Sequence, residues 1–245
     1  MDNSTVNSLM EKGFTFDGTE NYTTELAFLS LDIGLQSFFA TYQSMASSIS
    51  SLADENDLDQ EHRNQVYNRK YRQLYTETVI HLQHFAELVC KNFLRDIHPL
   101  LSVKIPSKDD KNTIFDKLSK NEKVDEDSIL PDWRSSDTIE FSETLNRLNK
   151  LNRDKILPPE LDFIAQHQYC LTKLNWLRNR IWHQGTYVLQ YQAFDKFIAG
   201  GVLPYTIRFS TNAAVCTCCS FSVDNSIQNP QTYGFDIDDY WFIIG

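Results

Sequence analysis

Leu74, Thr78, Leu82, Phe85, Leu88 and Val89 fall three and four residues apart in a run that ends only near His98-Pro99. That spacing lays one continuous face along a long helix and does not fit a strand, whose faces alternate every second residue. Other segments offer similar faces. Leu26, Leu29, Ile33, Phe38 and Ile49 recur at roughly helical spacing between about Thr23 and Leu52. An acidic patch, Asp54 to Glu61, separates this stretch from the long helix. A third helix is predicted from about Ser142 to Leu151. A fourth starts at Pro158-Pro159, with Phe163, Cys170, Leu174, Leu177 and Ile181 on one side. Helix breakers are scarce, 8 glycines and 7 prolines in 245 residues, which favours long helices over a turn-rich sandwich. The expected fold class is all-α.

The chain divides into three parts on this reading: an N-terminal helical segment (1–62) packing on the bundle, a helical domain (63–199) and an extension (200–245). Within the domain, residues 106–135 form a charged insert. Lys, Asp, Glu, Ser and Asn dominate between Pro106 and Pro131, which predicts a mobile connection with one short helix around Ile114–Leu118. The character changes after Gly200-Gly201. Thr206-Ile-Arg-Phe-Ser and Ala214 to Val223 are rich in β-branched and aromatic residues, and Tyr240–Ile244 is apolar. A small β-rich or irregular extension is expected there.

The formal net charge is -10, from 23 basic and 33 acidic residues, which argues against indiscriminate binding of nucleic acid. The charge is unevenly distributed. From Phe163 to Val223 the only acid is Asp195, against Lys173, Arg178, Arg180, Lys196 and Arg208, so this window carries five minus one, or +4. The remainder then carries -14. A buried helix would exclude acids, but burial does not explain three basic residues within eight positions, from Lys173 to Arg180; a local phosphate surface does. No apolar run approaches the roughly 20 residues of a membrane span. Met1 to Phe16 holds no basic region followed by an apolar one, so a cytoplasmic chain with no membrane partner is expected.

Inside the window lies Leu177-Arg-Asn-Arg-Ile-Trp-His-Gln-Gly185, with two guanidiniums and an imidazole within six residues. Arginine grips phosphate through paired hydrogen bonds, and an imidazole titrates near neutrality and can exchange a proton with a ribose hydroxyl. Asparagine can orient either group. On one helix Arg178 and His183 stand about 140° apart around the axis and about 7.5 Å along it, so they do not converge on one atom. Two such helices across a two-fold axis could bring each Arg to its partner's His. Asn179 and His183, four residues apart, share a face.

The pattern Arg178-Asn179-x3-His183 after an apolar helix resembles the signature of HEPN domains. Two further stretches resemble the same family: Thr76 to Leu94, with Glu87 and Lys91 as a Glu-x3-Lys element, and Thr138-Ile-Glu-Phe-Ser-Glu-Thr-Leu-Asn-Arg-Leu. The order, with a charged insert before the Arg/His helix, is similar too. The resemblance covers roughly residues 65–198. It implies a HEPN-like bundle that forms a homodimer through the Arg178–His183 helix. The implied activity is that of an endoribonuclease needing no metal or other cofactor, in a toxin or anti-phage effector. Internal attack of the 2′-hydroxyl would leave a 2′,3′-cyclic phosphate. Carried over, Arg178 would stabilise the phosphorane, His183 would move the proton and Asn179 would assist, with Arg180 and Lys173 on neighbouring phosphates of the RNA. A cognate antitoxin or regulatory protein is a further implied partner. Some members carry a modified Tyr two positions after the His; here that position is Gly185 and the nearest tyrosine is Tyr187. Other members have lost catalysis, so a non-catalytic nucleotide- or protein-binding module is the alternative.

Three groups stay open between two readings. Glu87 and Lys91 could form an exposed i, i+4 ion pair, or Glu87 could be partly buried and pair with an arginine of the Arg/His helix. His81 and His84 could ligate a metal or be ordinary core or surface histidines. Cys216, Cys218 and Cys219 include a C-x2-C spacing, but neither Cys nor His follows, so free thiols are expected rather than a four-ligand zinc site.

Overall fold

The computed structural model describes residues 22–45, 60–133, 136–185 and 187–213. Nine α-helices follow one another among them: α1 Tyr22–Met45, α2 Gln60–Val66, α3 Arg69–Ile97, α4 Lys108–Ser119, α5 Glu126–Ile129, α6 Phe141–Arg153, α7 Phe163–Gln184, α8 Tyr191–Phe197 and α9 Leu203–Ala213. A 3-10 turn, Pro99–Ser102, follows α3, and one π-helical turn, Ile198–Val202, joins α8 to α9. The described residues contain no β-strand, only an isolated antiparallel bridge between Val103 and Thr138.

α3 is the central rod, and its ends are set by specific caps. The Asn68 side chain accepts hydrogen bonds from the backbone N–H of Lys70 (2.9 Å) and Tyr71 (3.1 Å), satisfying donors that the first turn leaves open. At the other end His98 adopts extended backbone ahead of Pro99, and its Nδ1 accepts from Leu100 N–H. With Nδ1 accepting, the neutral ring carries its proton on Nε2, 3.2 Å from Glu126 Oε1, which ties the end of α3 to α5.

α1 runs antiparallel along α3. Ser30 Oγ meets His84 Nδ1 at 2.9 Å and Ser37 donates to Glu77 at 3.0 Å, with Phe28 against Phe85. Between these contacts the helices approach so closely at Gly34 that a Cβ would lie 3.0 Å from the Leu82 side chain and 3.2 Å from its backbone nitrogen. A side chain at that crossing would have to push Leu82 back by a few tenths of an ångström.

Two sequence expectations are corrected. The insert, predicted as a mobile connection with one short helix around Ile114–Leu118, holds that helix within the longer α4 and adds a second, α5. Ser107 caps α4, whose Ile114 and Phe115 are buried, and Val124 anchors the link to α5. Composition misled because most of the insert is a solvated face, while Ile114, Phe115 and Val124, with Leu118, Ile129, Leu130 and Trp133 beside them, pin it to the core. Lys111 adds an ion pair to Glu143 on α6, and the Lys150 ammonium lies 4.0 Å from the centre of the Phe115 ring.

The second correction concerns Thr206-Ile-Arg-Phe-Ser, read as part of a β-rich extension. These residues lie in α9. Val202, Tyr205, Thr206 and Phe209 are buried at three- and four-residue spacing, and that helical period overrides the β preference of the individual residues. Phe209 packs against Phe85, Phe93 and Phe163, so this helix belongs to the bundle core. Ala214 to Val223, the Cys216, Cys218 and Cys219 group and Tyr240–Ile244 lie outside the described residues.

Candidate functional site

α7 sets the candidate residues by its own periodicity. Phe163, Ile164, Leu171, Leu174 and Leu177 are buried against the bundle. The opposite face carries Tyr169, Lys173, Trp176, Arg180 and His183 at intervals of three and four. Apolar surface is exposed there: Tyr169 is 73% exposed, Trp182 66% and Trp176 42%. The cations lie over these rings. Lys173 Nζ stands 5.1 Å from the centre of Tyr169, and the Arg180 guanidinium stands 4.8 Å from Trp176 and 4.7 Å from Tyr187. Such contacts hold long basic side chains flat without neutralising them. No carboxylate among the described residues pairs with Lys173, Arg178 or Arg180.

Gly185 explains how Tyr187 reaches this face. It closes α7 with φ of 67° and donates its N–H to the Ile181 carbonyl at 3.0 Å. That left-handed cap turns the chain back, and Tyr187 lands edge-on against Trp176 with centroids 5.3 Å apart. The helix stop thus falls two positions after His183.

The predicted catalytic residues separate into two groups. His183 sits exposed in the last turn of α7, and no hydrogen bond or ion pair with a described residue engages it. Arg178 points elsewhere. It donates to Asn179 Oδ1 at 2.9 Å and its guanidinium lies 5.6 Å from the Trp182 ring centre. It also comes close enough to His84 on α3 to oppose protonation of that imidazole. Asn179 is thus committed to Arg178 rather than to His183, although it lies one turn from the imidazole. Within one chain the Arg178 and His183 side chains serve different surfaces, as their five-residue spacing requires.

Glu87 and Lys91 form the pair expected of an i, i+4 spacing, 2.7 Å apart, but they are not on an exposed face: their side chains are 22% and 10% exposed. The pair is part of a polar seam between α3, α7 and the segment that precedes α6. Lys91 donates also to Thr138 at 3.3 Å, and Gln83 donates to Glu87 at 2.9 Å and to Asn175 at 3.5 Å. Glu87 is partly buried, as one reading held, but its cation is Lys91 and not an arginine of α7. His84, bonded to Ser30, is held below the ordinary imidazole value by burial first, with His81, Lys91 and Arg178 acting in the same direction against Glu87. Among the described residues no cluster of three or more His, Cys, Asp or Glu is placed to hold a metal.

Sequence reasoning missed the aromatic half of the site. Tyr169 and Trp176 are seven residues apart, as are Lys173 and Arg180, so the alternation of ring and cation was present in the spacing. Gln83 and Asn175 carried no such signal, because only the packing of α3 on α7 brings them together.

No family model, no curated protein and no solved structure gives a significant match to this chain. Among the described residues no helix is long and apolar enough to cross a membrane.

Proposed function

We propose that the chain is a HEPN-like endoribonuclease that acts as a homodimer through α7 and cuts RNA by internal transesterification, in the manner of a toxin or defence effector. The observation that carries the reading is the α7 face: cations with no carboxylate partner among the described residues, alternating with exposed rings and ending in His183, which no described residue engages. Rings of this kind stack bases, and the cations hold the phosphates between them. Lys173 and Arg180 bind the backbone. In the reaction the ribose 2′-oxygen bonds to phosphorus and the bond to the 5′-oxygen breaks, leaving a 2′,3′-cyclic phosphate and a 5′-hydroxyl. His183 takes or returns the proton, and the Arg178 of the second copy, steadied by its Asn179, carries the charge of the phosphorane.

Incubating the protein with total RNA in EDTA and mapping the cut ends tests this. His183→Ala and Arg178→Ala should each lower the cleavage rate at least about 100-fold while the fold and the dimer persist. Cleavage at the wild-type rate in His183→Ala ends the assignment.

A second reading, a non-catalytic nucleotide- or protein-binding module, is favoured by the engagement of Arg178 with Asn179 and Trp182, turned toward α3. It predicts no cyclic-phosphate ends from any RNA, and protection of the α7 face by the ligand.

A further inference from the structure

The start of α3 carries three exposed cations, Arg69, Lys70 and Arg72, and its first turn holds no acid. Cations there face the positive end of the helix dipole, so they work against the stability of a 29-residue helix. No carboxylate among the described residues pairs with Arg69 or Arg72. The three do not share one side. Gln83 marks the side of α3 that meets α7, through Asn175. Arg72 precedes Gln83 by about three full turns and Arg69 stands one turn further on, so both lie on the α7 side. Lys70 falls about 140° round the axis from Gln83.

α7 ends beside these two arginines. The helices run antiparallel: Asn175 meets Gln83, and the stretch after α7 crosses the start of α3, where Tyr71 donates to the Leu189 carbonyl at 3.5 Å and Tyr191 N–H donates to Tyr67 at 3.0 Å. Trp182 follows Asn175 by about two turns, so it lies on the edge of α7 that borders α3. Measured from the Gln83–Asn175 crossing, Trp182 stands about 10 Å along α7 and Arg72 about 16 Å along α3, in the same direction. Packed helix axes are about 8–10 Å apart, which makes the two neighbours. The Trp182 ring is 66% exposed, with the Arg178 guanidinium 5.6 Å from its centre. The Tyr169–Arg180 face gives this edge no role.

We infer that Trp182, Arg72 and Arg69 form a second binding stretch for single-stranded RNA, which takes up the strand where it passes His183; the inference rests on the RNA reading above. An exposed indole stacks a base of any identity, and guanidiniums grip the flanking phosphates in two-pronged fashion. The backbone of the turn is not the site, because Asn68 already accepts from Lys70 and Tyr71 N–H. No ion pair with a described residue has to break before the phosphates bind. Affinity therefore depends on the length of the strand.

The test measures fluorescence anisotropy of single-stranded RNAs of about 4 and about 12 nucleotides with the full chain carrying His183→Ala, in EDTA, over a range of salt. The longer RNA should bind at least about 10-fold tighter than the shorter. Arg69→Glu with Arg72→Glu should remove that advantage and flatten the salt slope by about 1.4, two phosphates at about 0.7 each. The shorter RNA should bind this variant as before, which shows the α7 face still folded. Lys70→Glu, in the same turn but on the other side, should leave both affinities as they were. Equal affinity for the two lengths, a longer RNA indifferent to the arginine variant, or an equal loss in Lys70→Glu each overturns the second stretch and leaves the RNA reading standing. Failure of both RNAs to bind overturns the RNA reading and this inference with it.

Discussion

Arg147 shows how much one side chain can organise in a small bundle. It is 3% exposed. Its Nη1 donates to the carbonyls of Leu100, Leu101 and Val103 at 3.3, 2.9 and 3.1 Å, and its Nε donates to Glu143 at 3.0 Å. The 3-10 turn after α3 and the approach to the charged insert are thus held by a single guanidinium. Glu143, shared with Lys111, stays below the ordinary carboxylate value: burial raises it, but the hydrogen bonds and charges of Arg147 and Lys111 outweigh that. Arg147→Met takes this donor from three carbonyls and leaves Glu143 with Lys111 alone. It should cost about 3 kcal/mol, read as a lower urea midpoint with an unchanged slope. Lys120, whose pairing with Asp116 is fully in solvent, is the contrast: Lys120→Ala should leave the midpoint where it is.

At the scale of elements, α9 decides where the folded unit ends. Phe209 is fully buried, with Tyr205 at 3.9 Å, Phe163 at 5.2 Å and Phe93 at 5.3 Å between ring centres. Phe209→Ala should therefore destabilise by about 3–5 kcal/mol in thermal or urea unfolding, a cost expected of a central core ring and not of an appendage. The helices that the sequence made readable are those whose apolar period is unbroken: α3 ends at Ile97, beside the predicted His98-Pro99 boundary, and α6 covers Phe141–Arg153 around the predicted Ser142–Leu151. α9 was hidden because its residues favour strands one by one, while only their joint period, set by what they pack against, favours a helix. The site divides similarly. Arg178, His183 and the lone-acid window were visible in the sequence, and the ring-and-cation face was readable from spacing. The Gln83–Glu87–Lys91 series is a local i, i+4 pattern, but its links to Asn175 and Thr138 required α7 and the segment before α6 to pack on α3.

For the molecule as a whole, acid is the informative stress. His84, His98 and His167 all sit below the ordinary value of 6.5, burial being the main cause in each; Arg208 adds to it at His167, and Glu126 opposes it at His98. A folded value below the unfolded one means that the unfolded chain binds more protons. The stability these rings contribute is complete above about pH 6.5 and is lost as the pH falls through their folded values. Tm should be level from about pH 8 to 7 and decline toward about pH 5, and His84→Asn should shallow the decline. A Tm that rises on acidification would contradict the burial of these rings.

The π-helical turn leaves one further consequence. At Gly201 the backbone lies so close to Cys170 that a Cβ would stand 2.7 Å from its Sγ, and burial pushes the Cys170 thiol above its usual range. One flank of the sulfur is covered by the arm made of α8, the turn and α9. Loosening of that contact would give the thiol both room and acidity, so alkylation of Cys170 should be faster in Phe209→Ala than in the native chain, read by mass spectrometry. Cys170 thus reports, from the helix that bears the candidate site, on how tightly the π-helical turn is held against it.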